Sequence, residues 1–589
     1  MHRYEIGCAT PLWLPGVPSN TINLLDSLDE AKRRFGRRES SNISRMLRLL
    51  SRRSFTNAES LIRFHEALLF LRAHPANQSI LKLVETLLKT IPARVAKLRD
   101  DEADLSPLDD PEVSGIAGTS VTSNFSYEIV RWLIKEHPAQ VSIDWDWFED
   151  EDRLGATGSR FMPLLEEDAV VEANVPYRDW LDAARGQAKD LQWLMARFGA
   201  LNLPEKAKAE LYDSLKLHVR WKSSFKATRT GMKLPVRKIF YHDKPLISRR
   251  EVSIAAELQS PPIPVEKLSR ARGERILDMA RETSAVRYRE LHGFTYGDPG
   301  SVLSAPIGRG INLYFNGVPP ERRLPLRAYH SAMIFKNGIP VGYFEGLSLF
   351  ERMESGFNFY YTFREGETAW IYARVLRLCR QLLGVTAISI DPYQIGYENE
   401  EGIESGAFWF YRKLGFRPVR PELLKLTLAE EKKIAERPGY RTPARLLRKL
   451  AKGHMLFQPP PETGQGGRGA LRSDWDRFQV RNIGLAVQRR MAEKFGGKAN
   501  TIREASAQSV KQALGLRTSD WNNAELKALD DLALVLAMIP GLSQWSKLEK
   551  AQAVSVIRAK AGPDEAKYLK LMQKHQRLRA EMIRLGSRP

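Results

Sequence analysis

Between Tyr296 and Val419 the chain changes texture, and this limits the fold more than any other feature. "YHSAMIFKNGIPVGYFEGL" holds two runs of β-formers joined at Lys336-Asn337-Gly338. An Asn-Gly pair between such runs is a strong hairpin signal. "GFNFYYTF" (356–363) reads as a further strand. "REGETAWIYARVLRLCRQLLG" then reads as a helix, with Thr368 at the cap, Ile371, Val375, Leu378 and Leu382 on one face, and Gly384 as a stop. "VTAISIDP" is a strand, "SGAFWFYRKLG" a short helix with a glycine stop, and "FRPV" a last strand. A strand–helix–strand step is normally a parallel crossover, so the block predicts a mixed α/β unit.

The flanking sequence is helical. "NAESLIRFHEALLFLRAH" (57–74) carries apolar residues at steps of three and four, with an Asn start and Pro75 as a stop. A Pro- and Asp-rich stretch breaks the chain near residue 105, and the next region, to about residue 285, is again mainly helical. The expected division is a helical region 1–105, a mainly helical region 106–285, the α/β unit 286–425, and a basic helical region 426–589 with a flexible linker near 459–469. There is no fixed-period repeat.

Charge is uneven. Of the formal net charge of +21, residues 426–589 carry +15, from 31 Lys and Arg against 16 Asp and Glu. A basic region of this kind suits a polyanion such as nucleic acid, and equally suits solvated basic helix faces. Two cysteines, Cys8 and Cys379, exclude a disulfide framework and fit a reducing compartment. The start of the chain lacks the pattern of a signal peptide, and the most apolar stretch, "LDDLALVLAMIPGL", is short and carries Asp530 and Asp531. The expectation is a cytoplasmic protein without membrane contact.

Residues 329–419 resemble the GNAT superfamily of acyl-coenzyme A N-acyltransferases. "AMIFKNGIPVGYFEG" is similar to that family's second and third strands, including a Val-Gly pair (Val341, Gly342) after the turn. "FNFYYTF" resembles the fourth strand, "AISIDP" the fifth, and "AFWFYRKLGF" (Ala407, Phe410, Tyr411, Leu414, Gly415, Phe416) the family's closing helix motif. The resemblance implies a GNAT-like fold over about 286–425 and an acyl-CoA co-substrate, most simply acetyl-CoA. Phe363, Arg364, Gly366, Thr368 and Ala369 would then hold the cofactor pyrophosphate at the start of a helix. Glu367 stands where the family has glycine. The resemblance makes Tyr411 the general acid that protonates the departing thiolate. Glu345, with Tyr361 second, is the candidate base for the amine. Asn399 and Glu404, in a long acidic loop, are candidates for binding a cationic acceptor, either a small amine or a protein.

Each residue also has a plain structural reading. Tyr411 suits a packed core, and Glu345 suits a strand residue facing water. His65 and His74 read as ordinary helix residues, and "IDWDWFEDED" as a solvated loop anchored by tryptophan; no metal site is expected. Walker, Gly-x-Ser-x-Gly, His-Glu-x-x-His and Cys-x-x-Cys motifs are absent. The alternatives to acyl-CoA transfer are a GNAT-fold transferase using aminoacyl-tRNA as donor, and a non-catalytic GNAT-like scaffold or nucleic-acid-binding protein.

Overall fold

The computed structural model describes residues 19–148, 152–158, 160–162, 177–459 and 473–588. The expected linker and Cys8 lie outside them, as does the middle of the acidic cluster after Phe148. The chain forms two compact units. The first holds residues 1–246, 281–290 and 336–339, and the second holds 247–280, 291–335 and 340–589. Residues 1–246 of the two helical regions read separately from the sequence thus fall in one unit, residues 247–280 go with the other, and the basic C-terminal region belongs to the same unit as the large sheet.

The first unit is mainly helical, around three short antiparallel strands in the order β1 (Val121–Ser123), β3 (Val219–Trp221), β2 (Val141–Ile143). Its Ala58–Ala73 helix starts where Asn57 accepts the Ser60 N–H, and it is buried almost all round. Charges inside it therefore need partners. Glu66 pairs with Arg229 at 2.8 Å, while His65 bonds Glu66 at 3.0 Å and Thr230 at 2.9 Å. His65 and His74 are thus core residues and not merely helix residues; burial pushes the His65 imidazole pKa down. In the acidic cluster, Asp144 is buried against Arg220 at 2.6 Å. Trp145 supplies the anchor, donating to Asp190, and Trp147 is exposed.

The second unit is mixed α/β. Its sheet runs β11 (Arg417–Pro418), β12 (Met455–Phe457), β10 (Ala387–Ile390), β9 (Arg352–Phe359), β8 (Ile339–Leu349), β7 (Ala328–Lys336), β6 (Ile311–Gly317), β5 (Leu303–Gly308), β4 (Glu266–Lys267). The sheet is wider than the 286–425 span expected from sequence: β4 precedes it, and β12 enters between β10 and β11, antiparallel to both. The β7–β8 turn has Asn337 at φ 50° and Gly338 at φ 82°. Two positive φ values are what a two-residue hairpin of right-handed twist requires. β9 begins four residues before the expected strand, and residues 361–363 form a 3₁₀ turn.

β9 and β10 are parallel, joined by the Thr368–Leu383 helix. That helix ends where Gly384 takes φ 74° and donates to the Arg380 carbonyl. Gln573, from a C-terminal helix, donates to the Phe350 and Leu383 carbonyls. Lys560 and Glu565 form a buried ion pair at 2.5 Å, and the Tyr329 N–H donates to Glu565. These contacts pin the basic helices to the sheet. No helix among the described residues is long and apolar enough to cross a membrane.

Candidate functional site

β9 and β10 pair only at Ala387↔Arg352, Ile388↔Met353 and Ser389↔Glu354. β9 runs on to Phe359, whereas the chain leaves β10 at Asp391-Pro392. Beyond this point the two faces of β9 meet different surroundings. Ser355 Oγ lies 3.1 Å from Tyr372 Oη of the crossover helix. Side chains alternate along a strand, so Gly356 faces the other side, where it stands opposite Glu345 in register.

Tyr411 lies on the Tyr372 side. Its ring packs at 5.7 Å from Tyr372, 5.5 Å from Phe416 and 5.2 Å from Phe410. It is buried, and burial pushes its phenol pKa up, so it stays a proton donor near neutral pH. The aromatic crowding has a packing cause: Phe408 and Tyr411 point inward, and the half-buried Trp409 donates to Thr442 Oγ1.

Glu345 lies on the Gly356 side and is not a freely solvated carboxylate. The Tyr329 hydroxyl donates to it, and Tyr329 Oη accepts the Gly293 N–H at 3.0 Å. The His292 ring meets Tyr329 edge-on at 5.0 Å. Burial raises the Glu345 pKa, and the Tyr329 bond opposes this without cancelling it. A raised carboxyl near a tyrosine hydroxyl is suited to taking up a proton. The candidate acid and base thus lie on opposite faces of β9, beside the place where β10 parts from it.

The residues expected at the pyrophosphate loop gather at the carboxyl end of β9. Glu367 is the cap residue of the crossover helix, but its side chain makes no cap. Its carboxylate is instead buried, with Arg309 Nε 2.6 Å away and the Ile247 N–H donating at 3.1 Å. The Arg309 Nε–H itself is not aligned as a hydrogen bond. Thr368 is the first helical residue rather than the cap, and no acidic residue sits in the first turn. Ala369 and Phe363 are buried, and the Gly366 N–H donates to the Phe363 carbonyl. Arg364 reaches Glu401 at 2.5 Å.

Three expected site residues have other surroundings. Tyr361 is 52% exposed in the 3₁₀ turn, with the Arg364 guanidinium over its ring, and is not on the strand. Asn399 caps the Glu400–Glu404 helix, accepting the Gly402 N–H and donating to the Tyr393 carbonyl. Glu404 ends that helix, exposed.

The chain matches no known family model, no curated protein and no solved structure. Its site is therefore read from its own residues.

Sequence reasoning missed a cavity of about 560 Å³. Arg327, Arg352, Arg420, Lys452 and Arg481 line it, with Glu354, Asp391 and His454. Glu354 precedes Gly356 by two along β9, so it shares the face that holds Glu345. Glu354, Asp391 and His454 each offer an atom within 4.8 Å of the others, the spacing of a possible metal site. They already have partners: Arg327 is 3.3 Å from Glu354, and His454 is 3.4 Å from Asp391. Burial acts to raise the Asp391 pKa, but bonds from His454 and the Tyr393 N–H, with Arg327 nearby, hold it below the usual range. The one available sequence signal was Arg352 and Glu354 at strand spacing.

Proposed function

We propose that the second unit transfers an acyl group, most simply acetyl, from coenzyme A to an amine. The observation that carries this reading is the parting of β9 and β10 beside a helix start that its own cap residue leaves uncapped. A helix start offers bare N–H groups and a positive dipole end to a pyrophosphate. Glu367, the residue most at odds with such a site, has its charge turned inward against Arg309.

The amine nitrogen attacks the thioester carbonyl, forming a C–N bond, and the C–S bond breaks. Glu345, directly or through water, takes the proton the amine loses. Tyr411, kept protonated by its burial, gives its proton to the thiolate as the C–S bond breaks. The protein's part is to position the reactants and supply these two groups.

The test incubates the full chain with acetyl-CoA and a panel of primary amines and lysine peptides. It reads free thiol together with acetyl mass gain on the amine. Amine-dependent thiol release that falls at least a hundredfold in Tyr411→Phe supports the reading, the scale of a lost general acid. Aminoacyl transfer from aminoacyl-tRNA, with no turnover of any coenzyme A thioester, defeats it.

A further inference from the structure

The cavity beside β9 has a chemistry that acyl transfer does not use. Five cations face two carboxylates, and both carboxylates already have partners. The excess charge is positive and belongs to Arg352, Arg420, Lys452 and Arg481. Arg352 is the deepest of these, 5% exposed on a strand inside the sheet. Its Nε has no hydrogen-bond partner among the described residues. The guanidinium rests over the Phe478 ring at 5.3 Å, a contact that holds it in place without using its N–H donors. Burial lowers its pKa to about 10, which leaves it charged at neutral pH.

A buried guanidinium with unused donors is costly unless something pairs with it. Arg420, Lys452 and Arg481 stand exposed at the rim and add charge where a ligand would enter. Planar N–H forks favour carboxylate and phosphate oxygens, and a surplus of three positive charges matches a multiply charged anion better than a single carboxylate. We propose that this cavity binds a small phosphate-bearing molecule, its phosphoryl oxygens against Arg352 and its outer part among Arg420, Lys452 and Arg481. The volume suits a ligand of mononucleotide size. A nucleic-acid strand is disfavoured, because a backbone lies along exposed cations and the pivotal cation here is buried in a recess. The proposal is independent of acyl transfer.

The experiment is calorimetric titration of the full chain with inorganic pyrophosphate, inorganic phosphate, AMP and a single-stranded RNA oligonucleotide. Saturable binding of pyrophosphate is expected, weakened at least tenfold in Arg352→Met and retained in Arg364→Glu, which alters only the crossover-helix start. Arg420→Ala combined with Lys452→Ala changes only exposed side chains, so it should fold normally and weaken binding several-fold. Lys206→Ala, in the other unit, should leave the affinity unchanged. AMP binding more tightly than inorganic phosphate makes the ligand a nucleotide; equal affinities make the phosphoryl group the whole determinant, and both results support the site. The proposal is overturned if pyrophosphate does not saturate, if the rim and Arg352 variants bind as the wild type does, or if only RNA binds.

Discussion

Removing the Glu367 carboxylate tests whether that side chain faces the protein interior or the cofactor. The carboxylate is fully buried, so Glu367→Ala leaves the Ile247 N–H without this acceptor and takes one countercharge from Arg309. An unpaired buried N–H costs about 1–2 kcal/mol. Loss of one partner from a buried ion pair costs 3–5 kcal/mol in full, but Arg309 is 23% exposed and keeps other contacts, so about 1–2 kcal/mol is the fair share. Together these predict a loss of about 3 kcal/mol for Glu367→Ala. Glu367→Gln keeps an acceptor for Ile247 and should lose roughly half as much. In thermal unfolding of the full chain, the alanine variant should melt roughly 5 °C lower for a unit of this size. A double-mutant cycle with Arg309→Met and Glu367→Met should give a coupling of about 1 kcal/mol or more, because the apolar pair removes both charges together. Affinity for acetyl-CoA should be unchanged in Glu367→Gln. If instead Glu367→Ala melts with the wild type and the removed charge tightens acetyl-CoA binding tenfold, the carboxylate faces the ligand and the reasoning is wrong.

Other consequences follow from single contacts. Tyr329→Phe removes the bond that lowers the Glu345 pKa, so the acidic limb of kcat/KM against pH should move to higher pH. The same carboxyl is raised above its ordinary 4.5 on folding, so its contribution to stability is present below that pH and is lost as pH rises through the raised value; urea unfolding at several pH values reads this. Asn337→Ala deletes a side chain that accepts the Phe240 N–H and donates to the Ala73 and Phe240 carbonyls, at 2.8–3.0 Å. It should cost about 3 kcal/mol in urea unfolding, and Asn337→Gly should recover only the strain at φ 50°.

The elements legible in the sequence were those with local punctuation. Asn337-Gly338, Gly384 and Gly415 each need a positive φ, and each marked its turn correctly. The three-residue strands β1, β2, β3 and β12 are too short to show a period of two, so the sequence around them reads as helical. The start of β9 is not legible in the sequence, because Arg352 and Glu354 look like loop residues but line a cavity. The pairing of Glu367 was not legible, since Arg309 lies far away in sequence and only the fold brings them together. The cavity was hidden for the same reason, being assembled from several separate segments. Tyr411 and Glu345 were found by residue type, whereas their placement on opposite faces of β9 depends on strand register.

Calorimetric titration of the full chain with acetyl-CoA tests the central claim most directly. Saturable one-site binding is predicted, weakened at least tenfold in Arg364→Glu, which reverses the charge beside the start of the crossover helix. Absence of saturable binding, or binding to Arg364→Glu as tight as to the wild type, would contradict the account.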